Sequence, residues 1–248
     1  MCTLSFIPKT TGYLIGMNRD ERLTRERALP PQISNLAGLQ AVFPCEPGGG
    51  TWIGSNSAGI TFALLNRNSG LVKPPKLRSR GDIIPQLLAF SRISDAAGLM
   101  DSFNPAGMLP FRLAGFFPAE RTVLQWSWDS HELQGMEMGW RTHHWFSSGV
   151  SDELARDTRS RTFHDAWRHR SAGSAEWLRG LHASHAPVRG SFSVCVHRPD
   201  AETVSYTEID LGPELTMRYH AGHPCQALGR FDSETTLGPR FGHLAAAS

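Results

Sequence analysis

Residues suited to nucleophilic chemistry lie at the start of the chain and at the end of its second apolar segment. Cys2 follows Met1, and the run at 18–21 reads Asn-Arg-Asp-Glu. Removal of Met1 would leave a thiol beside a free α-amino group, whose pKa of about 8 lets it accept the thiol proton at neutral pH. Arg19 can lower the pKa of the thiol, and Asp20 can hold the ammonium group or the arginine. These residues predict a nucleophile, a base and an orienting group within the first 21 residues of the chain.

A β-hairpin is the element that must bring these groups together. Residues 2–7 are β-prone, and residues 13–18 form a second apolar run after a turn-like segment. If the turn is centred midway between the two runs, facing residues have numbers that add to about 20 or 21. Cys2 then lies opposite Asn18 or Arg19, with the carboxylate that follows them within side-chain reach.

The same residues also have a simpler interpretation. Judged by position alone, a cysteine at position 2 is more often incidental than catalytic. A run such as that at 18–21 usually marks a turn with a surface ion pair, which contributes little stability. The register of the hairpin decides between the two interpretations.

The remaining pattern alternates strands with helices and predicts a layered α+β domain. The region 29–50 is rich in proline and is expected to be irregular, whereas 51–54 and 60–65 predict a second hairpin. Helices are predicted at 82–88 (with Asp82 as its cap), 94–103, 151–169 and 175–181. Further strands are predicted at 111–117, 122–128, 132–138, 144–146, 191–197, 203–211 and 215–220.

We expect one domain over 1–226 and a flexible tail over 227–248, because the tail is rich in glycine, alanine and serine. The chain has 248 residues, of which 40% are hydrophobic and 19% charged, so it can bury a core and is not a disordered protein. It contains no apolar run of the roughly 20 residues that a membrane helix needs.

The charge balance indicates which partners to expect, and the cysteines indicate which compartment of the cell to expect. The 25 basic against 23 acidic residues give no broad basic surplus, so we expect no nucleic-acid partner. The four cysteines are scattered and the first residues lack the features of a secretory signal, which favours reduced thiols and a cytoplasmic location. The oligomeric state is left open.

Five blocks in the first ninety residues resemble the NRDE-motif family, also called the transport and Golgi organisation protein 2 family. They are Met-Cys-Thr-Leu at 1–4, Asn-Arg-Asp-Glu at 18–21, Gly-Gly-Thr-Trp-Ile-Gly at 49–54, Leu-Asn at 65–66 and Ser-Arg-Gly-Asp at 79–82. The resemblance implies a four-layer αββα sandwich of the N-terminal-nucleophile hydrolase type, with two antiparallel sheets between helical layers. It also implies a distant similarity to choloylglycine hydrolases and penicillin V acylases, which cleave amide bonds with a cysteine exposed by loss of methionine.

The resemblance assigns roles to matching positions. Cys2 matches the nucleophile, Asp20 matches the aspartate that orients its amine, and Asn66 matches an asparagine of the oxyanion hole. Asn18 completes the expected catalytic group. Substrate binding is expected from three residues in or beside the matching blocks: Glu21, Trp52 and Arg67.

The sequence departs from the acylase pattern at three points. Met17 stands where the acylases carry an arginine, so Arg19 would have to substitute from a neighbouring position. Where they use a further asparagine in the oxyanion hole, this chain offers Ser148, whose hydroxyl is a shorter donor. A Gly-Thr-Arg run found late in many family members is absent, and 189–192 reads Arg-Gly-Ser-Phe.

Histidine and cysteine also cluster outside the blocks. The segment 220–225 carries two histidines and a cysteine, and His182 and His185 form an H-x-x-H pair, but neither has the usual spacing of a zinc site, so no metal is predicted. His143 and His144 matter only if the family's link to haem handling applies, because no haem-attachment motif is present.

Two functions follow from these observations. The first is a Cys2-dependent hydrolase or acyltransferase that acts on a small-molecule acyl amide or thioester without a cofactor. The alternative is a protein of the same fold that binds or transports haem or an acyl-lipid without catalysis. A purely structural role is a weaker third interpretation.

Overall fold

The computed structural model describes residues 2–68, 76–227 and 229–238. The first half of this chain contains β1 (Cys2–Pro8), β2 (Tyr13–Arg22), β3 (Leu29–Leu36), β4 (Leu39–Cys45), β5 (Ile53–Asn56), β6 (Thr61–Asn66), α1 (Ile83–Leu87), α2 (Ile93–Ser102) and β7 (Phe111–Phe117). The second half contains β8 (Thr122–Trp128), β9 (Leu133–Gly139), β10 (His143–Ser147), α3 (Asp152–Ala166), α4 (Ala175–His182), β11 (Ala201–Leu211), β12 (Leu215–Ala221), α5 (Pro224–Ala227) and β13 (Ser233–Leu237).

The strands form two antiparallel sheets that are covered by helices. One sheet has the order β10-β1-β2-β11-β12-β13, and the other has the order β3-β4-β5-β6-β7-β8-β9. One apolar cluster fills the space between the sheets, a second joins the larger sheet to α1 and α2, and a third joins β1 and β2 to α3 and α4. The expected α+β four-layer αββα sandwich is confirmed.

The N-terminal hairpin has the predicted geometry. β1 pairs with β2 so that Cys2 faces Arg19 and Thr3 faces Asn18. The main-chain N–H of Lys9 donates to the carbonyl of Gly12 and closes the turn. Because β10 flanks β1 and β11 flanks β2, both strands lie inside their sheet and are almost wholly buried.

The second predicted hairpin is also present and lies in the other sheet. β5 pairs with β6, with Ile53 facing Ala63. All but the last residue of β6 is buried, as expected for an apolar strand that is covered on both faces. The strand ends at Asn66, which is partly exposed.

The expectation of irregular structure over 29–50 is wrong for most of that range. β3 and β4 form a hairpin there, with a turn in which Ala37 and Gly38 both have positive φ. Pro30 and Pro31 are tolerated because β3 is the edge strand of its sheet, where an absent N–H need not break a ladder.

The predicted strand at 191–197 is also wrong. Its only ladder contact among the described residues is an isolated bridge from His197 to Glu202. Isolated main-chain hydrogen bonds and side chains hold this segment instead: for example, the amide of Asn18 donates to the Val194 carbonyl, and the Val196 N–H donates to the Thr203 hydroxyl. Local sequence pattern could not distinguish these contacts from strand pairing.

Two expectations about helices need correction. Asp82 precedes α1 but makes no side-chain cap, and its backbone is already helical. The apolar residues Leu154, Phe163 and Trp167 predict the buried side of the 151–169 helix, yet Leu154 and Trp167 are exposed. The side of α3 that faces the sheet carries Arg159, which is fully buried.

Ordered structure extends beyond residue 226, where the sequence predicts the domain to end. β13 pairs along its whole length with β12 and forms the edge of the smaller sheet. The end of the predicted tail, 239–248, lies outside the described residues. Within the described part of the chain, no helix has the length and apolar character needed to cross a membrane.

Gly12 is required by the turn that sets the register. Its φ is +80°, and a Cβ added there would lie 2.1 Å from the carbonyl oxygen of Leu211. We therefore expect Gly12→Ala to lower the free energy of unfolding by about 2 kcal/mol or more. Gly139→Ala is the matched control, because a Cβ there meets no atom within 4 Å. Equal urea denaturation midpoints for the two variants would contradict this account of the turn.

Candidate active site

Cys2 lies at the junction of three strands. It faces Arg19 of β2 on one side and Ser147 of β10 on the other, and it is 6% exposed. Its main-chain nitrogen donates to the Ser147 hydroxyl across 2.9 Å. If Met1 is removed, this nitrogen becomes the α-amino group, and the Ser147 hydroxyl is then in position to hold it.

Asp20 is fixed beside Cys2 from the opposite strand. Its main-chain amide hydrogen-bonds to the Cys2 thiol. The carboxylate is buried, accepts a 2.6 Å hydrogen bond from the Thr203 hydroxyl and lies 3.8 Å from the guanidinium of Arg159. Burial raises the pKa of Asp20, and the positive charge of Arg159 lowers it. The predicted proximity of Cys2 and Asp20 is therefore present.

Arg159 is the main element of this region that sequence reasoning missed. It reaches from α3 into the start of the sheet, where it donates to the Thr3 hydroxyl across 2.9 Å and to the carbonyls of Cys2 and Ser147. One signal was available: Arg159 lies four residues from Ala155 and four from Phe163, within the side of the helix that packs on the sheet. A charged residue at such a position requires a buried partner.

Arg19 lies opposite Cys2, but its guanidinium makes its direct contacts with other side chains. Its guanidinium donates to Glu46 across 2.6 Å, lies 3.7 Å from Glu21 and stacks 4.3 Å from the Trp52 ring centre. It still lowers the pKa of the Cys2 thiol. Arg19 thus interacts both with the Cys2 thiol and with these acidic and aromatic side chains.

A cavity of about 390 Å³ opens beside the thiol. Six of the predicted site residues line this cavity: Cys2, Arg19, Asp20, Glu21, Trp52 and Asn66. Its other side is formed by the segments 49–51 and 77–81. Arg80 in the second segment belongs to one of the blocks that resemble the family, but the sequence did not predict it to bind substrate. Its guanidinium is largely buried and donates to the Pro110 carbonyl.

Asn18 lies away from this cavity. Its amide donates to the carbonyls of His182 and Val194, and its oxygen lies 3.0 Å from Nδ1 of His182. Alternation along β2 explains why Asn18 and Arg19 have different surroundings, because neighbouring residues of a strand point to opposite faces. Asn18 connects the sheet to α4 rather than to the thiol.

Ser148 and Arg67 are also not brought to the described lining of the cavity. The Ser148 hydroxyl accepts from the amides of Val150 and Ser151, so it shapes the turn that leads into α3. Arg67 follows β6, where its main-chain amide donates to Pro110. The serine next to Cys2 is Ser147, one position earlier, because that residue is the one paired with the N-terminal strand.

The local electrostatics favour a neutral thiol in the resting state. Burial is the largest influence and raises the pKa of Cys2, and the Asp20 charge raises it further. Arg19 and the Asp20 main-chain amide act in the opposite direction. A buried, protonated thiol needs a nearby base at the moment of attack, because the thiolate is the nucleophilic form.

The histidines considered for haem are held by the fold. His143 Nε2 lies 2.8 Å from the Gly139 carbonyl, and His144 Nδ1 lies 2.8 Å from the Ser5 hydroxyl. The His144 ring packs at 3.3 Å between centroids against Phe163, and burial lowers its pKa well below the ordinary value.

The two antiparallel sheets between helical layers have the fold of N-terminal-nucleophile hydrolases. Two variants of the conjugated bile acid hydrolase from Clostridium perfringens match 96% of this chain and 92% of their own, at 10% and 11% identity with TM-scores of 0.57 and 0.56. Penicillin V acylase from Agrobacterium tumefaciens matches 89% of this chain and 83% of its own, at 13% identity with a TM-score of 0.50. At these identities the likeness shows the fold alone.

The sequence comparison concerns the N-terminal part of the chain. The sequence model of the family described as Transport and Golgi organisation 2 matches residues 1–116, so the resemblance to the NRDE-motif family is confirmed over that range. The match includes the cysteine, the 18–21 run and the cavity segment 77–81. No curated protein matches the chain in sequence.

The buried pair Asp20–Arg159 yields a stability prediction. Removing the cation alone leaves the buried Asp20 carboxylate without the positive charge of Arg159. Arg159→Met should therefore lower the free energy of unfolding by about 3–5 kcal/mol. Combining it with Asp20→Asn should recover part of that loss, since the uncompensated charge is then gone. Urea denaturation measures both, with the exposed Arg161→Met on the same helix as control. Strictly additive losses in the double variant would contradict the pairing.

His182 yields a pH prediction. Its ring is buried between Asn18 and the Ser5 hydroxyl, and burial lowers its pKa to about 3. An unfolded histidine titrates near pH ~6.5. Between these values the unfolded chain binds a proton that the folded chain does not, so the free energy of unfolding falls as the pH falls through this window.

The variant His182→Gln should therefore show a flatter decline in stability between about pH 6.5 and pH 4 than the wild type. Urea denaturation at a series of pH values measures the slope. His131→Gln, at an exposed position, is the control and should keep the wild-type slope. An unchanged slope in the His182 variant would contradict the role given to its burial.

Proposed function

We propose that the protein is a Cys2-dependent hydrolase or acyltransferase that acts on a small-molecule acyl amide or thioester. The observation that carries the proposal is the pairing of Cys2 with Arg19, which sets the thiol beside Asp20 at the edge of a cavity large enough for a small acyl compound. The proposal requires that Met1 be removed, which is compatible with the small side chain that follows it.

The chemistry needs only groups of the chain itself. The Cys2 sulfur attacks the substrate carbonyl while its proton passes to the α-amino group, which Ser147 holds. The new ammonium lies near the Asp20 carboxylate and returns the proton to the leaving amine or thiol as the carbon–nitrogen or carbon–sulfur bond breaks. Water, or a second acyl acceptor, then attacks the acyl-thioester and regenerates the thiol.

Two further residues support the carbonyl and the rest of the substrate. The Asn66 side chain, at the end of β6 in the cavity wall, supplies an amide donor for the developing oxyanion. Arg78 and Arg80 line the same cavity and donate to main-chain carbonyls at 104, 106 and 110. Because those acceptors are neutral, the two guanidinium groups would favour a substrate that carries an anionic group.

The alternative function, non-catalytic binding of haem or an acyl-lipid, remains a second proposal with less support. His143 and His144 would be its candidate ligands, but both rings already contact groups of the protein. A cytoplasmic location belongs to the first proposal, because a reducing compartment keeps Cys2 in its thiol form.

A substrate panel tests the proposal. Purified protein is assayed against N-acyl amides and acyl-thioesters with and without a terminal carboxylate. Cys2→Ala should reduce kcat/KM by at least about 10³-fold on any substrate that the wild type cleaves. Cys45→Ala, which removes a cysteine outside the cavity lining, should retain wild-type rates.

Circular dichroism and thermal melting check that each variant is folded. If the Cys2 variant is unfolded, alkylation of wild-type Cys2 replaces it and should abolish activity. Hydrolysis that survives the loss of Cys2 would contradict the proposal. A Soret band on haem titration that is lost in His144→Ala, together with no turnover, would favour the alternative.

A further inference from the structure

We propose that His185, Cys195, His197 and Cys225 form a zinc-binding site, separate from the Cys2 cavity. Their ligand atoms, two ring nitrogens and two sulfurs, all lie within 4.8 Å of one another. The sequence predicted no metal because these residues come from three separate segments rather than from one motif.

The distances fit a tetrahedral metal ion. Zinc binds histidine nitrogen at about 2.0–2.1 Å and cysteine sulfur at about 2.3 Å, which gives ligand separations of about 3.3 Å for two nitrogens and 3.6 Å for nitrogen and sulfur. The Nε2 atoms of His185 and His197 are 3.1 Å apart. His197 Nε2 lies 3.6 Å from each sulfur.

The donor set favours zinc over other common ions. Two thiols and two imidazoles suit zinc, whereas magnesium and calcium take oxygen ligands. Four protein ligands leave no open position, which is the arrangement of structural rather than catalytic zinc sites. We therefore assign this site a stabilising role.

The fold explains why a metal would be useful at this position. His185 follows α4, Cys195 and His197 lie in the segment that forms no strand, and Cys225 lies in the short helix α5. The Cys195 N–H donates to the Ser184 carbonyl, which draws the first two segments together. A zinc ion would join all three segments, which share few main-chain hydrogen bonds.

One neighbouring contact must change when the ion binds. Arg189 donates to Nδ1 of His197 across 3.1 Å, and ligation through Nε2 leaves the proton on Nδ1. Arg189 is exposed, so its guanidinium can turn away into solvent. His223 stacks on the His197 ring at 4.2 Å between centroids and is itself held 3.1 Å from Glu202, which supports the orientation of the ligand.

The Thr203 hydroxyl connects the proposed site to the Cys2 region. Val196, between two of the ligands, donates its N–H to the Thr203 hydroxyl at 2.8 Å. The same hydroxyl donates to Asp20. Zinc would therefore fix the segment that positions this carboxylate, and this expectation holds whether or not Cys2 is catalytic.

Metal analysis tests the proposal on the untagged full-length protein. After expression in zinc-supplemented medium and dialysis, we expect about one zinc per chain. Exchange with cobalt should give the visible absorption of a tetrahedral site and a thiolate charge-transfer band. Cys195→Ser and Cys225→Ser should lose both signals, and Cys45→Ser, which lies outside the cluster, should retain them.

A second measurement remains decisive if those variants fail to fold. In the wild type, zinc should protect the partly exposed Cys225 from alkylation, leave Cys45 reactive and raise the Tm, and a chelator should reverse these effects. Absence of zinc together with no cobalt thiolate band would overturn the proposal. So would equal alkylation of Cys225 with and without zinc, or a Cys195–Cys225 disulfide in protein purified with zinc under reducing conditions.

Discussion

The antiparallel pairing of β1 with β2 is the constraint on which the candidate site depends. A shift of one residue would turn Cys2 to the opposite face of the sheet and separate it from Arg19. The register is fixed from both sides, since β10 pairs with β1 and β11 pairs with β2. The buried ion pair of Asp20 and Arg159 then ties the end of this hairpin to helix α3.

Burial has opposing effects on the chemistry of this region. It makes the thiol harder to ionise, yet it also strengthens the action of nearby charges and hydrogen bonds. The arrangement around Cys2 therefore suits proton transfer to an adjacent amine better than a permanently charged thiolate. Ser147 and Thr203 matter in the proposed mechanism because they hold the Cys2 main-chain nitrogen and the Asp20 carboxylate, respectively.

Local sequence pattern was sufficient for features that depend on neighbours in the chain. The two hairpins follow from β-prone runs around short turns, whereas the expectation that Asn66 and Trp52 belong to the site came from the family resemblance. Features that depend on distant contacts were missed: the burial of Arg159 depends on where α3 packs, and the irregular 191–197 segment is held by side chains of other elements. The contact between Ser147 and the Cys2 nitrogen was also missed, because the pairing partner of β1 cannot be read from spacing.

Mass spectrometry after acyl trapping tests the central claim most directly. The protein is mixed with a slowly turned-over acylating compound, and both the intact mass and the N-terminal peptide are measured. The account predicts a chain without Met1 that carries a single acyl group on Cys2 as a thioester, and no adduct on Cys45. Retention of Met1, or acylation spread over other cysteines with Cys2 unmodified, would contradict it.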